Sequence, residues 1–253
     1  MSVLRRDFTP IDLKHEIQRA GIDGVVSVQA RQSIEETEWL LARAAEVDFI
    51  LGVVGWLPLA ADDANRHLER WSQCGKLKSI RHVVQDEPDE AFLLGADFNR
   101  GVELLREYNL VYDILIFAKH LPNTLLFVDR HPQQPFVLDH IAKPTIQINK
   151  FDQQWARDLR ELAKRAQVTC KFSALVTEVR DQRWSVETLR PYWDVALEAF
   201  GPQRLMFGSD WPVCLLRSEY ARWVSAVEQL SASLSLSERQ ALWGQTALST
   251  YGL

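Results

Sequence analysis

Apolar residues recur along this chain at two alternating periods, one fitting helices and one fitting strands, from one end to the other without a linker. Thr9-Pro10 reads as a helix start, with Thr at the N-cap and Pro at the first helical position, and Gly21 is placed to end that helix. Residues 24–30 (GVVSVQA) form a short β-branched run. Ser33 with Glu36 gives the capping-box pattern for a helix reaching about Val47. The pairing then repeats. Strands are predicted at 50–59, 77–85, 111–118, 135–142, 168–175 and 204–209, and helices follow them at 62–73, 97–109, 121–130, 152–166 and 185–199. Two helices close the pattern, at 219–230 and from an N-cap at Ser237 to about Leu248.

Strands that are apolar almost throughout, each separated from the next by one helix, indicate a parallel sheet covered by helices. Seven strands are visible, whereas a closed (β/α)8 barrel needs eight, and the chain opens with a helix where a first strand should already have been laid down. The expected fold is therefore α/β, of the (β/α)8 TIM-barrel type with its first strand absent, as one domain over residues 1–253. An open doubly wound sheet could also hold seven strands. Its phosphate-binding G-x-G-x-x-G is missing, as are a Walker loop and the serine-hydrolase elbow G-x-S-x-G.

Charge narrows the partners. With 29 Lys plus Arg against 34 Asp plus Glu, the net charge of −5 offers no positive excess for phosphates, which argues against nucleic acid and anionic membrane. The longest strongly apolar stretch, 49–61, is broken by Gly52, Gly55 and Pro58 and falls short of the ~20 residues that span a bilayer. The first residues lack the apolar core of a secretory signal, and three scattered cysteines, Cys74, Cys170 and Cys214, fit a reduced, cytoplasmic setting.

Polar residues recur at the C-terminal ends of the strands, where a parallel barrel carries its chemistry. They are Gln29 and Arg31; Arg81 and His82; Tyr112 and Asp113; Asp139, His140 and Lys143; Lys171 and Ser173; and Ser209 and Asp210. Taken singly, each reads first as structure: Asp139 could brace a loop, Lys171 could be paired, and Arg81 or His82 could be satisfied inside the core. Because side chains alternate along a strand, Asp139 and His140 should not both face the interior. Asp210 and His140 stand out by context. LMFGSDWP sets an acid after an apolar strand and just before Trp-Pro, where it could act as a general base, and FVLDHIAKP sets an imidazole at another strand end.

Those two segments, with CKFSALVTE, VQARQS, GVVGW and RHVVQDEP, resemble the sugar-acid lactonase branch of the amidohydrolase superfamily over essentially the whole chain. That branch includes L-fuconolactonases, L-rhamnonolactonases and 2-pyrone-4,6-dicarboxylate lactonase. The resemblance implies a hydrolase acting on a small-molecule lactone, in which Asp210 takes a proton from the attacking water and His140 stands beside the substrate. It also implies that Arg31, His82 and Tyr112 surround the sugar acid. Such enzymes begin with a strand carrying His-x-His, and no His-x-His occurs here. A zinc-type divalent site, which the resemblance allows in a complete chain, would lack two ligands, so zinc is expected to be held weakly and no metal ligand is assigned. A metal-dependent decarboxylase of the same superfamily, or an inactive remnant that only binds, are the alternatives. The outer strands at 24–30 and 204–209 should each lack a neighbour. They are expected to pair with one another, to be covered by residues 1–9, or to drive homo-oligomerisation.

Overall fold

The structure is a computed structural model that describes residues 2–253. Seven strands form one sheet: β1 (Val25–Val28), β2 (Ile50–Gly55), β3 (Leu77–Val83), β4 (Val111–Leu115), β5 (Phe136–Leu138), β6 (Val168–Phe172) and β7 (Leu205–Phe207). All pairs are parallel and each strand pairs only with its neighbours in sequence, so the spatial order is β1 to β7. The sheet curls into an incomplete barrel, as the TIM-barrel-type reading expects.

The major helices follow the strands: α1 (Pro10–Arg19), α2 (Ile34–Glu46), α3 (Ala64–Ser72), α4 (Ala96–Glu107), α5 (Leu121–Arg130), α6 (Gln153–Ala163), the short α7 (Leu175–Glu178), α8 (Val186–Phe200), α9 (Tyr220–Leu230), α10 (Leu236–Gln240) and α11 (Thr246–Tyr251). Thr9 caps α1 in a full capping box with Asp12, and Pro10 begins the helix. The box expected at Ser33 is half made. Ser33 Oγ accepts the Glu36 N–H, but the Glu36 carboxylate accepts instead from the backbone N–H of Ala30 at 3.2 Å and Arg31 at 2.5 Å, tying down the loop after β1. The penultimate helix starts from Ser235, not Ser237. Ser235 has Glu238 three residues on and so completes a reciprocal box.

Register sorts the strand residues into two layers. Ile80, Tyr112, Phe136 and Val168 lie side by side and join the large core between sheet and helices. Their neighbours face the interior, where Val54, Val111, Val137 and Met206 pack with Tyr251 in a much smaller apolar cluster. The remaining interior space holds Ser79, Arg81, Asp113, Asp139 and Lys171, all buried.

The two sheet edges, β1 and β7, are not paired with each other. Apolar side chains bridge the interval instead. Ile17 of α1 with Tyr220 and Val224 of α9 form a cluster that takes in Val25 of β1 and Phe207 after it in β7, and Tyr251 and Leu253 cluster with Val26 and Val28. Met1 lies outside the described residues. Residues 2–9 run toward the loop after β7, where Phe8 packs edge-on against Trp211 with ring centroids 5.2 Å apart.

One close approach fixes α4 against the loop after β2. A Cβ on Gly101 would overlap the Leu59 carbonyl, which is backbone and cannot swing aside. Gly101→Ala should therefore destabilise the fold by about 3 kcal/mol, although alanine favours helix by ~1 kcal/mol in an open position. A urea midpoint at or above that of the wild type would show that this contact does not constrain the packing.

Candidate active site

Three strand ends build the site, and at each the chain leaves the sheet through a left-handed residue that is not glycine. After β5, His140, Ile141, Ala142 and Lys143 have φ of 55°, 46°, 61° and 47° in succession. Each such residue costs an L-amino acid roughly 1–2 kcal/mol, and a β-branched Ile is an outlier there. Burial holds the turn: Ile141 and Ala142 are fully enclosed, and Trp155 of α6 donates its indole N–H to the Ile141 carbonyl at 2.7 Å. After β6, Ala174 has φ 61°, and after β7 Asp210 has φ 53°. Sparsely populated backbone of this kind concentrates where side chains must be aimed against local preference.

The turn after β5 breaks the strand alternation that should have kept Asp139 and His140 apart. Asp139 faces the interior, and the left-handed turn carries His140 over the mouth as well, so both residues serve the same end of the barrel. His140 Nε2 lies 3.9 Å from Asp210 Oδ1, and His140 Nδ1 lies 2.7 Å from Ser173 Oγ. Burial raises the Asp210 carboxyl to about 6, with Lys143 and Arg81 pulling the other way and Asp139 and Glu178 adding to the rise. Burial also lowers His140 to about 3, with Lys143, Arg81 and Lys171 opposing its charge and Asp139 favouring it. A neutral imidazole thus stands beside a carboxylate that ionises close to neutrality, the pairing suited to general-base work.

Beneath this pair runs a buried ionic network. Arg81 donates to Asp139 Oδ2 at 2.7 Å and to the Gln29 carbonyl, while Gln29 Nε2 returns a bond to the Arg81 carbonyl at 3.1 Å. Lys171 sits between two carboxylates, 2.7 Å from Asp139 Oδ1 and in contact with Asp113 Oδ2. Asp113 also accepts from Ser79 Oγ at 2.6 Å and from the Tyr251 hydroxyl at 2.8 Å. Burial opposes ionisation of Asp139, but the charges of Lys171 and Arg81 outweigh it and hold the carboxyl well below the usual range. Burial raises the Asp113 carboxyl, with Lys171 and Ser79 opposing the rise and Asp139 adding to it. Two acids and two bases thus meet across β3, β4, β6 and the turn after β5.

Two expected substrate-binding residues lie elsewhere. Tyr112 is fully buried in the outer core among Phe98, Phe127 and Phe136, because it alternates with the inward Asp113. His82 alternates in the same way with Arg81. Its Nδ1 accepts from Trp56 Nε1 at 3.2 Å, its Nε2 meets Glu87 Oε1 at 2.6 Å, and its ring stacks on Phe92. Since tryptophan only donates, the His82 proton sits on Nε2 and bonds to Glu87, leaving neither nitrogen for a ligand. Arg31 is exposed in the loop after β1, and its backbone N–H is tied to Glu36. Ser173, Arg81 and Lys171 were legible only as strand-end polar residues; what joins them to the site is that register puts them on one face.

Among the described residues, no group of three or more His, Cys, Asp or Glu stands close enough to hold a metal ion. His140 and Asp210 supply two donors, below the three or four protein ligands that zinc takes, so these residues do not by themselves form a zinc site.

The amidohydrolase family model matches residues 2–253. An L-fucono-1,5-lactonase of Burkholderia multivorans is 43% identical over 266 residues, covering 100% of this chain and 88% of that protein. A second L-fucono-1,5-lactonase, from Burkholderia ambifaria, is 32% identical over 90% of this chain and 79% of its own length. Among solved structures, an amidohydrolase from Burkholderia multivorans with bound zinc superposes with a TM-score of 0.95 at 42% identity, covering 100% of this chain and 91% of that one. A match along the whole described length, to a family model and to relatives this similar, places the chain in the amidohydrolase family.

Proposed function

We propose that this protein hydrolyses a sugar-acid lactone, with Asp210 as general base and His140 as hydrogen-bond donor to the carbonyl. The observation that carries this reading is the placement of a carboxyl titrating near 6 opposite a neutral imidazole, 3.9 Å away, at the mouth of the barrel. The lactonase names of the two Burkholderia relatives support the substrate class. In the reaction, Asp210 takes a proton from a water whose oxygen bonds to the lactone carbonyl carbon. His140 donates to the oxygen that gains negative charge, and Arg81 and Lys143 add positive potential there. The bond from carbonyl carbon to ring oxygen then breaks, and the ring oxygen recovers the proton held by Asp210, releasing an open-chain hydroxy acid.

The test is acid release from L-fucono- and L-rhamnonolactones by the purified protein, corrected for spontaneous opening. Only ionised Asp210 can accept the proton, so kcat/KM should fall about tenfold per pH unit below an apparent pKa near 6 and level off above it. A profile flat from pH 5 to 8 would remove Asp210 from the base role. Carbon dioxide release from an aromatic acid, with no lactone opened, would replace the reading with decarboxylation.

A further inference from the structure

His140 is neutral in this site and can carry its proton on either ring nitrogen, but the proposed reaction works with one tautomer only. A donor to the carbonyl oxygen needs the proton on Nε2, the nitrogen that faces Asp210. Nothing on the His140 side chain itself makes that choice.

Ser173 makes it by hydrogen-bond accounting. The hydroxyl is 1% exposed, and His140 Nδ1, at 2.7 Å, is its one side-chain hydrogen-bond partner among the described residues. A hydroxyl has one proton to donate, and a buried donor left unmade costs about 1–3 kcal/mol. If Nδ1 carried the proton, Ser173 Oγ would accept and its own O–H would have no acceptor. If Ser173 donates, Nδ1 must be the bare nitrogen and Nε2 the protonated one. The other side of the ring agrees: a bare Nε2 would turn its lone pair toward the Asp210 carboxylate, whereas Nε2–H turns a donor toward it. The local backbone is built around this hydroxyl. Ala174 turns left-handed immediately after it, and Gly208 on the neighbouring strand end leaves the room it occupies, since a Cβ there would stand 2.8 Å from Ser173 Cβ and 3.2 Å from its Oγ.

We infer that Ser173 is a positioning residue that locks His140 as the Nε2–H tautomer, and with it the donor aimed at the substrate carbonyl. This rests on the lactonase reading for its consequence, although the tautomer itself does not. The experiment is nitrogen-15 NMR of the imidazoles in the full chain, with the His140 signals assigned by their loss in His140→Gln, together with kinetics on the best lactone. The wild type should show His140 protonated on Nε2 alone. Ser173→Ala should show the two tautomers exchanging, with kcat lowered about tenfold and KM little changed, the scale of one hydrogen bond. Ser173→Thr, which keeps the hydroxyl, should restore the single tautomer. A wild-type His140 protonated on Nδ1, or a tautomer unmoved in Ser173→Ala, would overturn the inference even if the enzyme is a lactonase. Absence of lactonase activity alongside the expected spectra would sink the function and leave the tautomer lock standing. A merely structural serine would lower the melting temperature without moving the nitrogen signals.

Discussion

Asp210→Asn is expected to lower lactone hydrolysis by ~10²–10⁴ while making the folded protein more stable at pH 7 and above. The first effect is the loss of a positioned base, because an amide cannot take the proton of the attacking water. The second comes from the same burial that poises the acid. The folded state raises Asp210 to about 6, so between about pH 4 and pH 6 the native protein binds a proton that the unfolded chain has released. Stability therefore falls as pH rises through that window, and above it the buried charge costs on the order of 2–3 kcal/mol. Asparagine is neutral at every pH and tolerates the left-handed backbone at this position. The variant should melt higher than the wild type at pH 7.5, with the gap closing below pH 4. Unchanged turnover would make Asp210 a structural acid, and an unchanged melting temperature at pH 7.5 would show that its carboxylate is not under strain.

Lys171→Met should cost about 3–5 kcal/mol, the scale for breaking a buried ion pair from one side. Methionine keeps the stem but leaves Asp113 and Asp139, both fully buried, facing each other without the cation between them. In a domain of this length the melting temperature should drop by roughly 10 °C. The deficit should widen as pH rises, because Asp113, left without a cation while Asp139 keeps Arg81, is tolerated only while protonated. Adding Asp113→Asn should recover part of the loss, since Asp139 keeps Arg81 and the carboxylate left without a cation is then gone. A single variant within 1 kcal/mol of wild type would mean that the network contributes little to the fold.

Much of the architecture could be read from the chain because each strand is a short apolar run followed by one amphipathic helix, a pattern that leaves few topologies. Strand lengths could not. β5 ends at Leu138 instead of 142 because four successive residues turn left-handed, and none of the four is a glycine that would have marked the turn. The site was legible where a single residue ends a strand, as at Asp210. It was obscured where two polar residues are adjacent, as in Arg81-His82 and Tyr112-Asp113, because which member faces inward depends on the register with neighbouring strands. His82 and Tyr112 are the outward members of those pairs. The role of Ser173 lies further from reach, since its partner His140 is 33 residues away on a different strand end.

The hydrogen bond from Tyr251 to Asp113 joins positions 138 residues apart, and Lys78 Nζ reaches the Gly252 carbonyl across 174. The sheet, by contrast, can grow strand by strand, since every ladder joins neighbours in sequence. Closing the 138-residue loop costs only about 1 kcal/mol more entropy than closing one of 30, but it has to wait for the strands that position Asp113. The expected order of assembly is strands first, ionic interior second, and the α11 segment last, acting as the bolt that shuts the interior from below. Until it docks, Asp113 would have Lys171 and Ser79 but not its third partner, and the interior should remain open to water. Unfolding should run the other way, with the bolt drawn before the strands separate.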